Sequence, residues 1–218
     1  MLIKDIMQRD VVTATPDTRL PQVLRLLQPR GFRHVPVLDG KALVGIISDR
    51  DVKRAVASLA GAGAAGAELE CAREQLTASA IMQRVVTTVA PMDTVEDAAR
   101  LMATRKISAL PVIDGGRLLG IVTETDVLQL FVRAMGVLEP SSRLDVRMPG
   151  PEAQVGEVVR AVEGAGARIV SLMTLGGPGG VREIVVRVAT IDPGPAATAL
   201  RARGYRVREA ERVAASAA

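Results

Sequence analysis

The chain has 218 residues, 48% hydrophobic and 24% charged, with a formal net charge of +4, a balance typical of a globular protein with room for two domains. Its apolar runs are shorter than the roughly 18 residues that a transmembrane helix needs. It lacks a secretory leader, so we expect a cytoplasmic location and no membrane partner. The single cysteine and single histidine exclude an internal disulfide and leave almost no material for a zinc site or a catalytic cluster. We therefore expect no metal and no cofactor.

Basic residues are concentrated near the end of the chain. Glutamates interrupt this basic run, and with one tyrosine and two phenylalanines the chain has few side chains that could stack on bases. We therefore interpret the run as a solvated face and expect no nucleic-acid partner. The basic run comprises Arg201, Arg203, Arg206, Arg208 and Arg212.

An internal repeat organises the N-terminal part of the chain. Ile6-Met7-Gln8-Arg9 returns as Ile81-Met82-Gln83-Arg84, an offset of 75 residues. The same offset relates residues 35–40 to 110–115 and residues 43–52 to 118–127. Three blocks in one register indicate a duplicated unit.

Each copy predicts the order β-α-β-β-α. A β-branched run at 11–13, and again at 85–89, predicts a first strand, and apolar residues at helical spacing follow. The next strand ends in Asp-Gly, which predicts a hairpin, and a further strand and helix complete the unit. One unit would expose an apolar sheet face, so we expect the two copies to pack about a pseudo-two-fold axis. The helical positions are Leu20, Val23, Leu24 and Leu27, and Val95, Ala98, Ala99 and Met102.

The repeat and the composition predict the domain boundaries. The glycine-rich stretches at 61–66 and 176–180 lack the Lys and Ser/Thr of a P-loop, so we interpret them as linker and turn. A short helix is expected at 68–76, where we expect Cys71 to be inert. The predicted segments are a first copy at 1–60, a linker at 61–79, a second copy at 80–137, a third segment at 141–212 and a frayed tail at 213–218.

Two Ser/Thr-x-x-Asp motifs carry the chemical argument. Ser48 and Asp51, like Thr123 and Asp126, lie where a predicted strand leads into a helix. A hydroxyl beside the free N–H groups of a helix N-terminus suits a phosphate, and a carboxylate one turn later can accept hydrogen bonds from a ribose diol. The same spacing also fits a capping box, in which the acidic side chain folds back onto the helix start. Both interpretations stay open.

The repeat resembles the CBS-domain family, whose pairs are called Bateman modules, over roughly residues 1–136. The resemblance rests on the Pro-Val-x-Asp strand, the Gly-x-x-Ser/Thr-x-x-Asp ending and the tandem spacing. It implies an α+β regulatory module, not an enzyme, whose clefts bind adenosine derivatives such as AMP, ADP, ATP, S-adenosylmethionine or NADH. Each cleft would combine the hydroxyl and Asp of one copy with the early strand and the Pro-Val strand of the other.

The resemblance also implies which residues line the two clefts. Arg33 and His34 would contact phosphates or, as the alternative, lie at a solvated rim. Ile46 and Ile121 would hold adenine or belong to the core. Thr123 and Asp126 would face Val11, Val12, Phe32, Arg33 and His34, and Ser48 and Asp51 would face Val85, Val86, Ile107, Ser108 and Ala109.

The third segment predicts the order β-α-β-β-α-β, with strands at 143–147, 168–175, 182–189 and 205–207 and helices at 155–164 and 196–203. It resembles the ACT-domain family, a ferredoxin-like regulatory fold that binds amino acids near its first turn. Pro149 and Gly150 match that turn, but Pro151 removes a backbone donor, which favours dimerisation over amino-acid binding. The whole arrangement is similar to the acetoin-utilisation protein B type.

Three functional hypotheses follow from the sequence. The first is a homodimeric sensor that binds an adenine nucleotide between the two copies and alters contacts with another protein. The second is a structural or interaction module with empty clefts, whose Ser/Thr-x-x-Asp motifs are helix caps. The third, an enzyme or a nucleic-acid binder, is disfavoured by the composition.

Overall fold

The computed structural model describes residues 1–27, 33–61, 66–150, 154–176 and 182–210. The chain forms two compact units, Met1–Val127 and Leu128–Ala218. The predictions that concern Phe32, most of the glycine-rich stretches, Pro151 and the frayed tail lie outside the described residues.

The N-terminal unit contains both copies of the repeat. A single 3-10 turn, Ile3–Asp5, precedes the first helix. The first copy contains α1 (Leu20–Leu27), β1 (His34–Asp39), β2 (Ala42–Ser48) and α2 (Asp49–Gly61). Between the copies lies α3 (Gly66–Gln75), at the position of the short helix predicted for 68–76. The second copy contains α4 (Ala78–Ile81), α5 (Val95–Arg105), β3 (Ala109–Asp114), β4 (Arg117–Thr123) and α6 (Glu124–Ala134), whose last residues belong to the C-terminal unit.

The helices at equivalent positions of the two copies, α1 and α5, confirm the predicted apolar spacing. Each buries residues at positions i, i+3 and i+7, because these positions share one helix face. The buried residues are Leu20, Val23 and Leu27 in α1, and Val95, Ala98 and Met102 in α5.

The Asp-Gly signals correspond to the two hairpins. β1 pairs with β2 and β3 pairs with β4, both antiparallel, and both ladders have a register shift at the same place in the repeat. In the second hairpin Gly115 and Gly116 have φ values of 53° and 76°, the left-handed conformation that a tight two-residue turn requires.

The predicted first strand of each copy is shorter than expected. Residues 11–13 and 85–88 form no regular strand, and each segment contributes one parallel bridge, Ala14 to Val37 or Val89 to Val112. A proline follows two residues after each bridge, at Pro16 and Pro91. Proline cannot donate to a ladder, so pairing stops there.

The two copies exchange their N-terminal segments. Gln8 and Ile121 share two backbone hydrogen bonds of 2.9 Å, and Gln83 and Ile46 share a matching pair of 2.9 and 3.0 Å. A Cβ atom at Gly120 would lie 2.7 Å from the carbonyl oxygen of Gln8, so glycine permits the close approach. Each copy therefore completes the other.

The C-terminal unit is a four-stranded antiparallel sheet with the strand order β6-β7-β5-β8. The chain order is β-α-β-β-α-β, as predicted. The apolar core lies between one face of the sheet and the helices α7 and α8. The elements are β5 (Ser142–Arg147), α7 (Val155–Gly164), β6 (Ile169–Gly176), β7 (Arg182–Val188), α8 (Gly194–Arg201) and β8 (Arg206–Ala210). Among the described residues, no helix is long and apolar enough to span a membrane.

Candidate functional site

The two Ser/Thr-x-x-Asp motifs lie at the starts of α2 and α6 and have the geometry of helix caps. Asp51 Oδ2 accepts from the Ser48 backbone N–H at 2.9 Å and from its hydroxyl at 2.6 Å. Asp126 Oδ2 accepts from the Thr123 N–H at 2.8 Å and from its hydroxyl at 2.7 Å. In each motif one carboxylate oxygen is thus occupied by the cap and the other is directed elsewhere.

Two glutamines from the exchanged N-terminal segments contact these carboxylates. Gln83 Nε2 donates to Asp51 Oδ1 at 2.9 Å, and Gln8 Nε2 donates to Asp126 Oδ1 at 3.1 Å. Neither glutamine is among the residues predicted to line the clefts. The sequence does mark both glutamines, because each belongs to a copy of the repeated Ile-Met-Gln-Arg block.

A guanidinium distinguishes the two sites. Arg54 Nη2 donates to Asp51 Oδ1 at 2.6 Å, whereas the equivalent position after Asp126 is Gln129. Burial alone would raise the pKa of Asp51, but the hydrogen bonds from Ser48 and Gln83 and the charge of Arg54 lower it below its usual value. Among the described residues, Gln8 is the one partner of Asp126 Oδ1. The Asp126 carboxylate therefore keeps more free acceptor capacity than the Asp51 carboxylate.

A cavity of about 270 Å³ lies beside Asp126 and has walls from both copies. The first copy contributes Arg33 and His34 together with the segment that follows Gln8. The second copy contributes the end of β4 and the start of α6. Seven predicted residues are brought together here, Val11, Val12, Arg33, His34, Ile121, Thr123 and Asp126, along with Gln8, Asp10 and Thr125.

His34 lies on the cavity wall and reaches across to the second copy. Its Nε2 atom is 3.0 Å from the Ser108 hydroxyl oxygen. Burial and the neighbouring Arg33 lower the pKa of His34 below its usual value, against smaller opposing effects of Asp49 and Asp51. The imidazole is therefore largely neutral at pH 7, so Arg33 is the cationic side chain among the described residues that line the cavity.

A family model for the CBS domain matches residues 3–58 and 78–133, more than half of the chain. This chain belongs to the CBS-domain family. The uncharacterized protein MJ1225 of Methanocaldococcus jannaschii is 37% identical over 135 residues, which cover 60% of this chain and 47% of the relative. The chain thus spans about half the length of that curated relative, whose solved structure superposes with a TM-score of 0.52.

Two solved CBS structures similar to this chain contain adenosine compounds. The CBS domain pair of protein MJ0100, in complex with 5′-methylthioadenosine and S-adenosyl-L-methionine, is 30% identical, covers 60% of this chain and 95% of that chain, and has a TM-score of 0.50. CBSX2 in complex with AMP is 27% identical, covers 61% of this chain and 96% of that chain, and has a TM-score of 0.51.

The remaining predicted residues of the CBS pair that the structure describes do not line the cavity beside Asp126. Val85 is 96% exposed, so the described residues do not enclose it. Ile46 is half-buried and pairs through its backbone with Gln83. Val86, Ile107 and Ser108 are half-buried, Ala109 is buried at the start of β3, and Phe32 lies outside the described residues.

Two further sequence predictions concern the C-terminal unit and metals. Pro149 is exposed and Gly150 half-buried, directly after the buried Met148. Amino-acid binding at this turn stays a prediction. Within the described ranges, no group of three His, Cys, Asp or Glu residues could hold a metal ion.

Proposed function

We propose that this CBS pair is a non-catalytic regulatory sensor that binds one adenine nucleotide, AMP or ADP, in the cavity beside Asp126. The observation that carries the proposal is the cavity itself, in which Asp126, the N-terminus of α6 and Arg33 come together. These groups supply a carboxylate, the positive end of a helix and a positive charge. A nucleoside phosphate can use all three.

The ribose would bind at Asp126. Oδ2 is engaged by Thr123, but Oδ1 accepts a single hydrogen bond from Gln8 among the described residues. A carboxylate offers about four acceptor sites, so Oδ1 can also accept a hydrogen bond from a ribose hydroxyl. Gln8 would orient the carboxylate from its other side.

The phosphate would lie between Arg33 and the start of α6. The N–H groups at the start of a helix carry a partial positive charge, which favours an anion. In α6 those of Glu124 and Asp126 already donate to the Ser108 carbonyl and the Thr123 hydroxyl, so the N–H of Thr125, which lines the cavity, would contact the phosphate. Asp10 also lines the cavity. The adenine ring would contact Val11, Val12 and Ile121.

Cavity size and charge narrow the class of ligand. A volume of about 270 Å³ is near the lower end of the roughly 300–1,000 Å³ of small-molecule sites, which favours a mononucleotide over a dinucleotide such as NADH. Arg33 favours a phosphate over the positively charged sulfonium of S-adenosylmethionine. Adenine and its ribose ring are the part that the ligands of the two relatives share.

The cleft at Asp51 would be the weaker site. Both of its carboxylate oxygens are engaged, one by Ser48 and the other by Gln83 and Arg54. A ribose there would have to displace Arg54, whose side chain is 64% exposed. We therefore expect unequal occupancy of the two clefts.

A second candidate function is a structural or interaction module with empty clefts. The observation in its favour is that both Ser/Thr-x-x-Asp motifs form complete helix caps without a ligand. In that case Asp126 would contribute to the stability of α6 and to nothing else.

We further infer that the C-terminal unit is an ACT-like dimerisation domain, as in the acetoin-utilisation protein B type, and that the protein is a homodimer that regulates another protein. The support is the ferredoxin-like strand order β6-β7-β5-β8, which leaves β6 and β8 as edges for pairing with a second copy. Sedimentation velocity of the full chain tests this inference, and a monomer at all concentrations would contradict it.

A thermal-shift panel with AMP, ADP, ATP, S-adenosylmethionine, NADH and adenosine tests the nucleotide proposal. At 100 times Kd a ligand adds about 2.7 kcal/mol of stability. Each kcal/mol raises Tm by roughly 2–4 °C for a chain of this size, so AMP should raise Tm by about 5–10 °C. GMP at the same concentration is the matched control. The absence of a shift with every adenosine compound would favour the empty module.

A further inference from the structure

A second pocket, of about 190 Å³, lies within the C-terminal unit on the sheet face that does not carry α7 and α8. The last residues of α6, including Phe131 and Met135, lie over β6 and β7 at this point. The Ser171 hydroxyl donates to the Met135 carbonyl at 2.7 Å and fixes the helix end to the sheet. Val185, on the same sheet face, is only 4% exposed. The pocket is therefore a partly open recess between the end of α6 and the sheet.

Arg187 lines this pocket and has an unsatisfied donor atom. Its Nε atom is buried and has no hydrogen-bond partner among the described residues. Its Nη1 atom donates to the Ser141 hydroxyl at 3.2 Å, and no described carboxylate pairs with it. A buried polar atom without a partner is destabilising, so a ligand that accepts from Nε would gain binding energy there.

The described side chains near Arg187 do not supply it with a counter-charge. Arg143 lies directly opposite Arg187 on β5, but Asp145 neutralises Arg143 through a 2.7 Å hydrogen bond from Nε. The second oxygen of Asp145 accepts from Arg208 at 2.9 Å. Of the two guanidinium groups in this cross-strand pair, that of Arg187 is the one without a described counter-charge.

We propose that this pocket binds a small monocarboxylate with an apolar tail. The carboxylate would accept from Arg187 Nε in the side-on bidentate geometry that guanidinium groups favour. The tail would contact Phe131, Met135, Met173 and Val185. A volume of 190 Å³ equals that of roughly six water molecules, which limits the ligand to about six carbon atoms.

The lining of the pocket favours a simple carboxylate over an amino acid. Among the described residues that line it, none is acidic. An α-ammonium group would thus be desolvated without a counter-charge, which costs binding energy. The site differs in place from the Pro149-Gly150 turn and is independent of the nucleotide proposal.

Isothermal titration calorimetry of the full chain with isocaproate tests the proposal. Isocaproate should bind with a Kd on the order of 1 mM or below, as its size allows. Isohexanol, which lacks the charge, and leucine, which adds the ammonium, should each bind at least about tenfold more weakly. Leucine that binds as well as isocaproate would overturn the choice of a simple carboxylate.

Variants locate the binding in this pocket. Arg187→Met should weaken isocaproate binding at least about tenfold, whereas Arg147→Met, the same change at an exposed site on β5, should leave it unchanged. Ala134→Leu fills the pocket from an exposed helix position and should also abolish binding in a fully folded chain. Unchanged affinity in Arg187→Met, or a wild-type chain that binds AMP but no carboxylate, would overturn the proposal. The proposal would also be overturned if isocaproate did not bind the wild-type chain and Ala134→Leu changed the sedimentation coefficient. A second copy of the chain would then occupy the pocket.

Discussion

Arg54 Nη2 lies 2.6 Å from Asp51 Oδ1, and the second repeat has Gln129 where the first has Arg54. The two halves of the CBS pair share their hairpins, their helix caps and their glutamine contacts. This one ion pair occupies the carboxylate of the first cleft, while the matching oxygen of Asp126 accepts from Gln8. The repeat is therefore symmetric in fold and asymmetric in its binding chemistry.

The first prediction concerns binding stoichiometry. Arg54→Gln gives the first cleft the residue found in the second, frees Asp51 Oδ1 from its ion pair and should add a second, weaker site for AMP. Calorimetry should show about one AMP per chain in the wild type and about two in the variant. Two AMP sites of equal affinity in the wild type would contradict the proposal that Arg54 weakens AMP binding in the first cleft.

The second prediction assigns the phosphate contact to Arg33. Arg33→Gln should weaken AMP binding about tenfold and leave adenosine binding unchanged, because in the proposed site the guanidinium would contact only the phosphate. Arg117→Gln, an exposed site outside the cavity, is the control. Equal losses for AMP and adenosine would place Arg33 against the nucleoside instead.

The third prediction concerns pH and uses the fact that His34 is the one histidine of the chain. Because its pKa is lowered in the folded state, the unfolded chain takes up a proton first, and stability should fall as pH drops below about 6.5. His34→Gln should remove this dependence. NMR titration of the imidazole should give a midpoint below the usual value that rises when AMP places a negative charge nearby. A midpoint unmoved by saturating AMP would exclude the phosphate from this wall.

The fourth prediction concerns acid stability of the C-terminal unit. Burial would raise the pKa of Asp145, but hydrogen bonds from Arg143 and Arg208 and their charges lower it. Because the pKa of Asp145 is lower in the folded state than the unfolded value of about 3.9, the ionised carboxylate stabilises the folded unit above that pH. This stabilisation is lost as pH falls through the folded-state pKa. Asp145→Asn should cost about 2 kcal/mol at pH 7 and much less at pH 3. Denaturant unfolding at the two pH values measures this, with the exposed Asp114→Asn as control. An equal cost at both would contradict the ionic role of Asp145.

Much of the fold followed from periodicity. The 75-residue offset and the Asp-Gly signals predicted both hairpins, and the spacing of Val155, Val158 and Val162 predicted α7, because these patterns depend on local geometry. The first strand of each copy was predicted too long. Its β-branched residues favour a strand, but the exchange of N-terminal segments and the following prolines limit the pairing to one bridge.

The chemistry of the candidate site was less accessible from sequence. Gln8 lies 118 residues from Asp126, and only the three-dimensional exchange of segments brings them together. The effect of Arg54 was not predicted either, because it arises at a position where the two copies differ, with Gln129 in the second. The neutral state of His34 depends on burial, which a sequence pattern does not report.

The most direct test of the nucleotide site compares two capping aspartates. Asp97 forms with Thr94 the same kind of cap that Asp126 forms with Thr123, with a 2.7 Å hydrogen bond from the hydroxyl in both, but Asp97 does not line the cavity. Asp126→Asn and Asp97→Asn should each cost about 1 kcal/mol of stability. By calorimetry with AMP, Asp126→Asn should lower the affinity at least about tenfold while Asp97→Asn leaves it unchanged. Equal AMP affinity in the two variants would mean that Asp126 is a helix cap and not a ribose ligand.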